Sequence, residues 1–105
     1  MPMLPVEITE ENFDFRVAGN HGTVILTFLE KESAPCRMLV PIMEEVAAER
    51  ADLLVGRVDV RREASLAESF GIDAVPTVIC LRDGALLGSF CGVKSKESIF
   101  RILGE

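Results

Sequence analysis

The stretch Glu32-Ser33-Ala34-Pro35-Cys36-Arg37 decides the reading of this chain. Before it lies an apolar run, Val24-Ile25-Leu26-Thr27-Phe28-Leu29. A run this short, rich in β-branched and aromatic side chains, predicts a buried strand. After it, Leu39, Ile42 and Val46 recur at spacings of three and four, which predicts a helix. Ser33 is a good N-cap, and Pro35 fits the first helical turn, where a missing N–H costs nothing. With Ser33 as the cap, the second helical position is Pro35, which has no amide to give. The Ser33 hydroxyl is therefore expected to accept from the amide of Cys36. That puts one thiol in the first turn of a helix, near the positive end of its dipole.

The rest of the chain alternates in the same way. Val6-Glu7-Ile8 reads as a short strand. Thr9 is expected to cap a helix with Glu10 and Glu11 in its first turn, Phe13 and Val17 facing inward, and Gly19-Asn20 at its end. His21 and Gly22 fall in the following turn, where a lone histidine is read as solvated. Pro41 lies inside the helix after Cys36 and should kink it. Leu53 to Val60 reads as a strand, with Arg57 and Asp59 as a solvated cross-strand pair. Glu63 to Phe70 reads as a short helix closed by Gly71. A strand from Thr77 to Arg82 turns at Asp83-Gly84 into a strand from Ala85 to Cys91. Ser95 caps a last helix that buries Ile99, Ile102 and Leu103. This order predicts an α/β fold, a mixed sheet covered on both faces.

Bulk properties narrow the function. A length of 105 residues suits one domain, residues 1–105. A hydrophobic fraction of 49% with only 6% aromatic residues implies an aliphatic core. The net charge of −6 without a basic cluster argues against nucleic acid or an anionic membrane as partner. No apolar run approaches the roughly 20 residues needed to span a bilayer. Met1-Pro2-Met3-Leu4-Pro5 has neither a basic region nor a cleavage site, so no secretory signal is read. Three cysteines without such a signal point to the cytoplasm and away from a disulfide scaffold. No metal site and no cofactor is read.

Ala34, Pro35, Cys36 and Arg37 resemble the active-site turn of thioredoxins, Trp-Cys-x-Pro-Cys-Lys/Arg after a buried strand. The resemblance runs from about Val6 to Leu103, and thioredoxins also carry a proline at the place of Pro41. It implies the thioredoxin fold in a single domain. It implies that Val75-Pro76-Thr77 is the cis-proline segment, whose backbone pairs with an extended substrate chain. Cys91-Gly92-Val93 then matches the third side of the groove. Substrate-binding positions carried over in this way are Ala34, Pro35, Val75, Pro76, Thr77, Cys91 and Gly92. The catalytic positions are Ser33 and Cys36.

The chain departs from the family pattern at the chemistry. Ser33 stands where the nucleophilic cysteine belongs, and Glu32 and Leu29 stand where tryptophans are usual. Thr27 replaces the buried aspartate that handles a proton of the second cysteine. A serine neither ionises usefully nor forms a disulfide, and dithiol exchange needs an attacking thiolate plus a second thiol. The expectation is an atypical thioredoxin-like protein that binds protein or peptide clients. It would form at most a mixed disulfide through one thiol, with a thioredoxin reductase as a candidate partner. Some co-chaperones carry a similar Ser-x-x-Cys domain ahead of helical repeats, and this sequence looks like such a domain alone. The alternative is a protein-disulfide oxidoreductase that uses Cys36 with another thiol. A third reading is a structural interaction module with inert cysteines. Cys36 is read as either redox-active or buried for packing, and Cys80 as a buried structural thiol. In the topology implied here Cys91 lies one strand beyond the neighbour of the strand before Ser33. Two spacings of about 4.8 Å exceed the reach of a disulfide, so no Cys36–Cys91 bond is expected and Cys91 should be the more accessible thiol.

Overall fold

In the computed structural model, residues 4–105 are described; Met1 to Met3, part of the segment searched for a signal, lie outside the described residues. Why the run before Ser33 is almost wholly apolar is clear from the packing. Strand β2 (Thr23–Leu29) is the middle of a five-stranded sheet and is covered on both faces. Its odd-numbered Ile25 joins one core with Leu39, Met43, Val46, Val78, Cys80 and Ile99. Its even-numbered Val24, Leu26 and Phe28 join the other core with Ile8, Val17, Val58 and Leu66. A strand buried on both faces loses the alternation of a half-exposed one.

Around β2 the other elements fall into place. Strand β1 is Val6–Glu7 and β3 is Leu54–Asp59. Strand β4 is Thr77–Arg82 and β5 is Ala85–Cys91. The sheet order is β1-β3-β2-β4-β5. β3 runs parallel to both β1 and β2, whereas β4 is antiparallel to both β2 and β5. Helices α1 (Ala34–Glu49) and α3 (Lys96–Ile102) cover the first core, and α2 (Ala64–Ser69) covers the second. This is the expected mixed sheet with helices on both faces.

Local chemistry sets the element ends. Gly71, at φ +67°, follows α2; its amide bonds the Glu68 carbonyl while the Ile72 amide bonds that of Ala67. Those two bonds form a Schellman closure. Asp83 and Gly84, at φ +50° and +80°, make the tight turn between β4 and β5. The Ser95 hydroxyl accepts from the Ser98 amide at 3.1 Å and caps α3. Pro41 lies within α1 on an exposed face, and the helix runs on through it to Glu49.

Three expectations are corrected. The segment after Thr9 is not an α-helix to Gly19. Thr9 and Asn12 do cap each other reciprocally, but the chain then forms a five-residue π-helical turn, Asp14–Ala18. The Gly19 amide closes it on the Asp14 carbonyl at 2.8 Å, and a Cβ at Gly19 would come within 3.3 Å of that oxygen. Arg57 does not pair with Asp59. It bonds Glu7 across to β1 at 3.0 Å, because parallel register sets Glu7 beside it. Asp59 instead accepts from the amides of Arg61 and Arg62. Ile102 is only half-buried, and Ile99 and Leu103 are the fully buried residues at the end of the chain.

Candidate functional site

Parallel and antiparallel register together gather one end of the sheet. Leu29 lies opposite Asp59, Phe28 opposite Thr77, and Thr77 opposite Cys91. The segments beyond these residues therefore meet at one edge: the turn Glu30–Cys36, the Val75–Pro76 approach to β4, and Cys91-Gly92.

Ser33 has the extended backbone of an N-cap, φ −83° and ψ 122°, and its Oγ accepts from the Cys36 amide at 3.3 Å. This is the bond that Pro35 forces, since a proline at the second helical position cannot donate. Ser33 is half-buried, and Ala34 and Pro35 are exposed. Cys36 turns inward and is only 2% exposed. The Glu30 amide donates to its Sγ at 3.4 Å.

Across the edge the Val75–Pro76 bond is cis. Pro76 and Thr77 are buried, and Val75 is half-buried. The Thr77 hydroxyl donates to the Ala74 carbonyl at 2.6 Å and lies 3.4 Å from Cys91 Sγ. The Gly92 amide donates to the Pro76 carbonyl at 2.9 Å, which ties the end of β5 to this segment. Cys91 is exposed. Val93 beside it is 38% exposed and adds an apolar rim.

The structure thus brings Ser33, Ala34, Pro35, Val75, Pro76, Thr77, Cys91 and Gly92 to one end of the sheet. Cys36 stands at the end of the same turn with its side chain buried. It forms part of the wall of a cleft of about 390 Å³ on the β3 side of β2, with Leu29, Val40, Val58 and several charged residues. Sequence reading missed the part played by Glu30, whose amide holds the sulfur, and by Arg37 and Arg62 at the cleft. Arg37 is the only one of the three inside a motif that marked the site. Thr27 lines a small void next to the cleft; it is 1% exposed, and its Oγ1 has no hydrogen-bond partner. Cys36, Cys80 and Cys91 are all free thiols. Burial pushes the Cys80 thiol up to about 11.

The arrangement offers one inward thiol in the turn and one outward thiol at the end of β5. Neither has a second sulfur as a bonded neighbour. The thioredoxin family model matches residues 4–105.

The chain belongs to the thioredoxin family.

A thioredoxin of Chlamydia caviae is 32% identical over 98 residues, covering 93% of this chain and 94% of its own length. A thioredoxin of Mycolicibacterium smegmatis is 34% identical over 103 residues, covering 95% and 92%. One of Mycobacterium tuberculosis is 32% identical over 101 residues, covering 95% and 87%. The turn of this chain reads Ser33-Ala34-Pro35-Cys36. No helix among the described residues is long and apolar enough to cross a membrane.

Proposed function

We propose that this thioredoxin-family protein binds extended protein or peptide clients at the edge formed by Ala34, Pro35, Val75, Pro76, Thr77, Cys91 and Gly92, in a chaperone-like manner. Its redox chemistry is that of single thiols, at most a mixed disulfide. The observation that carries this reading is the state of the turn. The Ser33 oxygen is engaged as a helix cap, and the one thiol of the turn, Cys36, is 2% exposed. Disulfide exchange within one turn needs a thiolate that attacks and a neighbouring thiol that resolves the product. Only one of the two is present. A thioredoxin reductase, or another external thiol, would be the partner that releases a mixed disulfide.

The test has two arms. In the first, turnover of a protein disulfide is measured with dithiothreitol and with a reductase system; the expected rate is close to the uncatalysed background. Turnover at the level of an ordinary dithiol thioredoxin would favour the oxidoreductase reading, in which Cys36 works with another thiol. In the second, binding of extended apolar peptides is followed by fluorescence anisotropy. Val93→Glu at the apolar rim should weaken that binding, and unchanged affinity would count against the groove.

A further inference from the structure

The cleft on the β3 side is the part of the molecule that client binding leaves unused. Its volume of about 390 Å³ falls within the size range of small-molecule sites. Leu29, Val40 and Val58 give it an apolar lining, and Cys36 is part of its wall. Its lining carries Glu7, Glu30 and Asp59 against Lys31, Arg37, Arg57 and Arg62, one cation in excess. Glu7 is engaged by Arg57 and Glu30 by Arg61. The Asp59 carboxylate is engaged by the Arg61 and Arg62 amides. Lys31, Arg37 and Arg62, which also line the cleft, have no carboxylate partner among the described residues. A chain of net charge −6 therefore presents three cations without ion pairs here, of which Arg37 also donates to the Lys31 carbonyl at 3.0 Å.

A second observation points the same way. A void of about 10 Å³ shares Leu29, Val40 and Arg57 with the cleft. Thr27 lines that void, and its buried hydroxyl has no partner. The space is on the order of one water molecule. A buried polar atom without a partner thus lines a void that adjoins the cleft through three shared residues.

We propose that this cleft is a site for a low-molecular-weight disulfide bearing carboxylates, and that Cys36 exchanges with it from the β3 side. The inference rests on the single-thiol reading above and names a substrate class for it. The carboxylates lie against Arg37 and Arg62. Cys36 Sγ, deprotonated, attacks one sulfur of the ligand. The bond from Cys36 Sγ to that sulfur forms as the ligand's own S–S bond breaks. The other half leaves as a thiolate and takes up a proton, so the proton lost by Cys36 is returned. Cys36 is oxidised to a mixed disulfide and half of the ligand is reduced to a thiol. No further oxidant is needed.

Oxidised glutathione is a suitable charged probe, and bis(2-hydroxyethyl) disulfide a neutral one. The folded protein is incubated with each, and the adducts are located by peptide mapping under non-reducing conditions. The expected result is a Cys36 adduct with oxidised glutathione. Its rate should fall about five- to tenfold in Arg37→Glu/Arg62→Glu, the loss expected for two exposed charge contacts. The rate with the neutral probe should fall much less, and the ratio of the two falls separates lost recognition of the carboxylates from a general effect on the thiol or the fold. An adduct on Cys91 alone, or a Cys36 rate indifferent to the two substitutions, would overturn the inference. A disulfide-bearing client peptide is run beside them. If Cys36 reacts with the peptide and not with oxidised glutathione, the small-molecule site fails and the single-thiol reading stands. If Cys36 reacts with neither, both fail for Cys36.

Discussion

The Ser33 hydroxyl accepts a hydrogen bond from the Cys36 amide at 3.3 Å, so Ser33 holds the first turn of the helix that carries the Cys36 thiol. Two substitutions test this turn. Ser33→Ala removes the cap and should cost about 1 kcal/mol, a fall in Tm of roughly 4–8 °C for a domain of this size. Ser33→Cys supplies a second thiol beside Cys36 and should raise disulfide reductase activity above the wild-type background. Thermal unfolding reads the first and insulin turbidity the second. A Ser33→Cys protein no faster than wild type would mean that the turn cannot bring the two sulfurs together.

What made this turn legible was local. A cap, a proline two positions later and an apolar spacing of three and four each state their geometry within a few residues. β2 was equally plain, because burial on both faces leaves a continuous apolar run. The cleft was not legible, since it depends on parallel register across three strands. Nothing in the spacing of Glu7 and Arg57 says that they will bond, and Arg57 looked closer to Asp59 in sequence than it is in bonding. The π-helical turn escaped for a different reason. Thr9 and Asn12 form the caps of an ordinary helix, and only the closure on Gly19 widens it.

The three thiols should react in a fixed order. Cys91 is exposed, Cys36 is 2% exposed, and Cys80 is fully buried. Iodoacetamide at neutral pH should label Cys91 first and Cys80 last, as read by peptide mapping at short times. Cys80 also carries a pH signature. Burial raises its thiol from 9.0 to about 11, so the folded state holds that proton more tightly than the unfolded one. The stability it contributes is full below about 9 and declines as pH rises to about 11. Urea unfolding across that window should show a smaller loss of stability in Cys80→Ala than in wild type, after allowance for its lower starting value. Equal slopes would place Cys80 in a more polar setting.

Gly56 lies in β3 where no side chain fits. A Cβ there would come 2.6 Å from Ile8 Cγ1 and 3.2 Å from Leu26 Cδ2, and both residues are fully buried. The clash is with side chains, so the core can shift, but both sit in one packed cluster. Gly56→Ala should therefore destabilise by about 1–3 kcal/mol, the range for overpacking. Urea denaturation gives the number directly. A stabilised Gly56→Ala protein would show that Ile8 repacks freely and that this corner of the core is loose.

Thr27 offers the sharpest separation of stability from chemistry. Its hydroxyl is buried without a partner, so the folded state leaves unmade a hydrogen bond that water supplies to the unfolded chain. Valine has nearly the same shape and no hydroxyl. Thr27→Val should stabilise the free protein by about 1 kcal/mol, because it removes an unsatisfied polar atom without opening a cavity. The urea midpoint should rise with no change in slope, since the surface exposed on unfolding is almost the same. A lower midpoint would mean that the hydroxyl does have a partner in solution, for which the adjoining void has room on the order of one water. Thr27→Asp asks the complementary question. A carboxylate there would border the same void as Arg57, whose charge favours its ionised, proton-accepting form next to the turn. Alone it should add no reductase activity, because one thiol is still missing. Combined with Ser33→Cys it should exceed Ser33→Cys alone. Equal activity of the single and double variants would show that proton handling at Thr27 does not limit exchange in this fold.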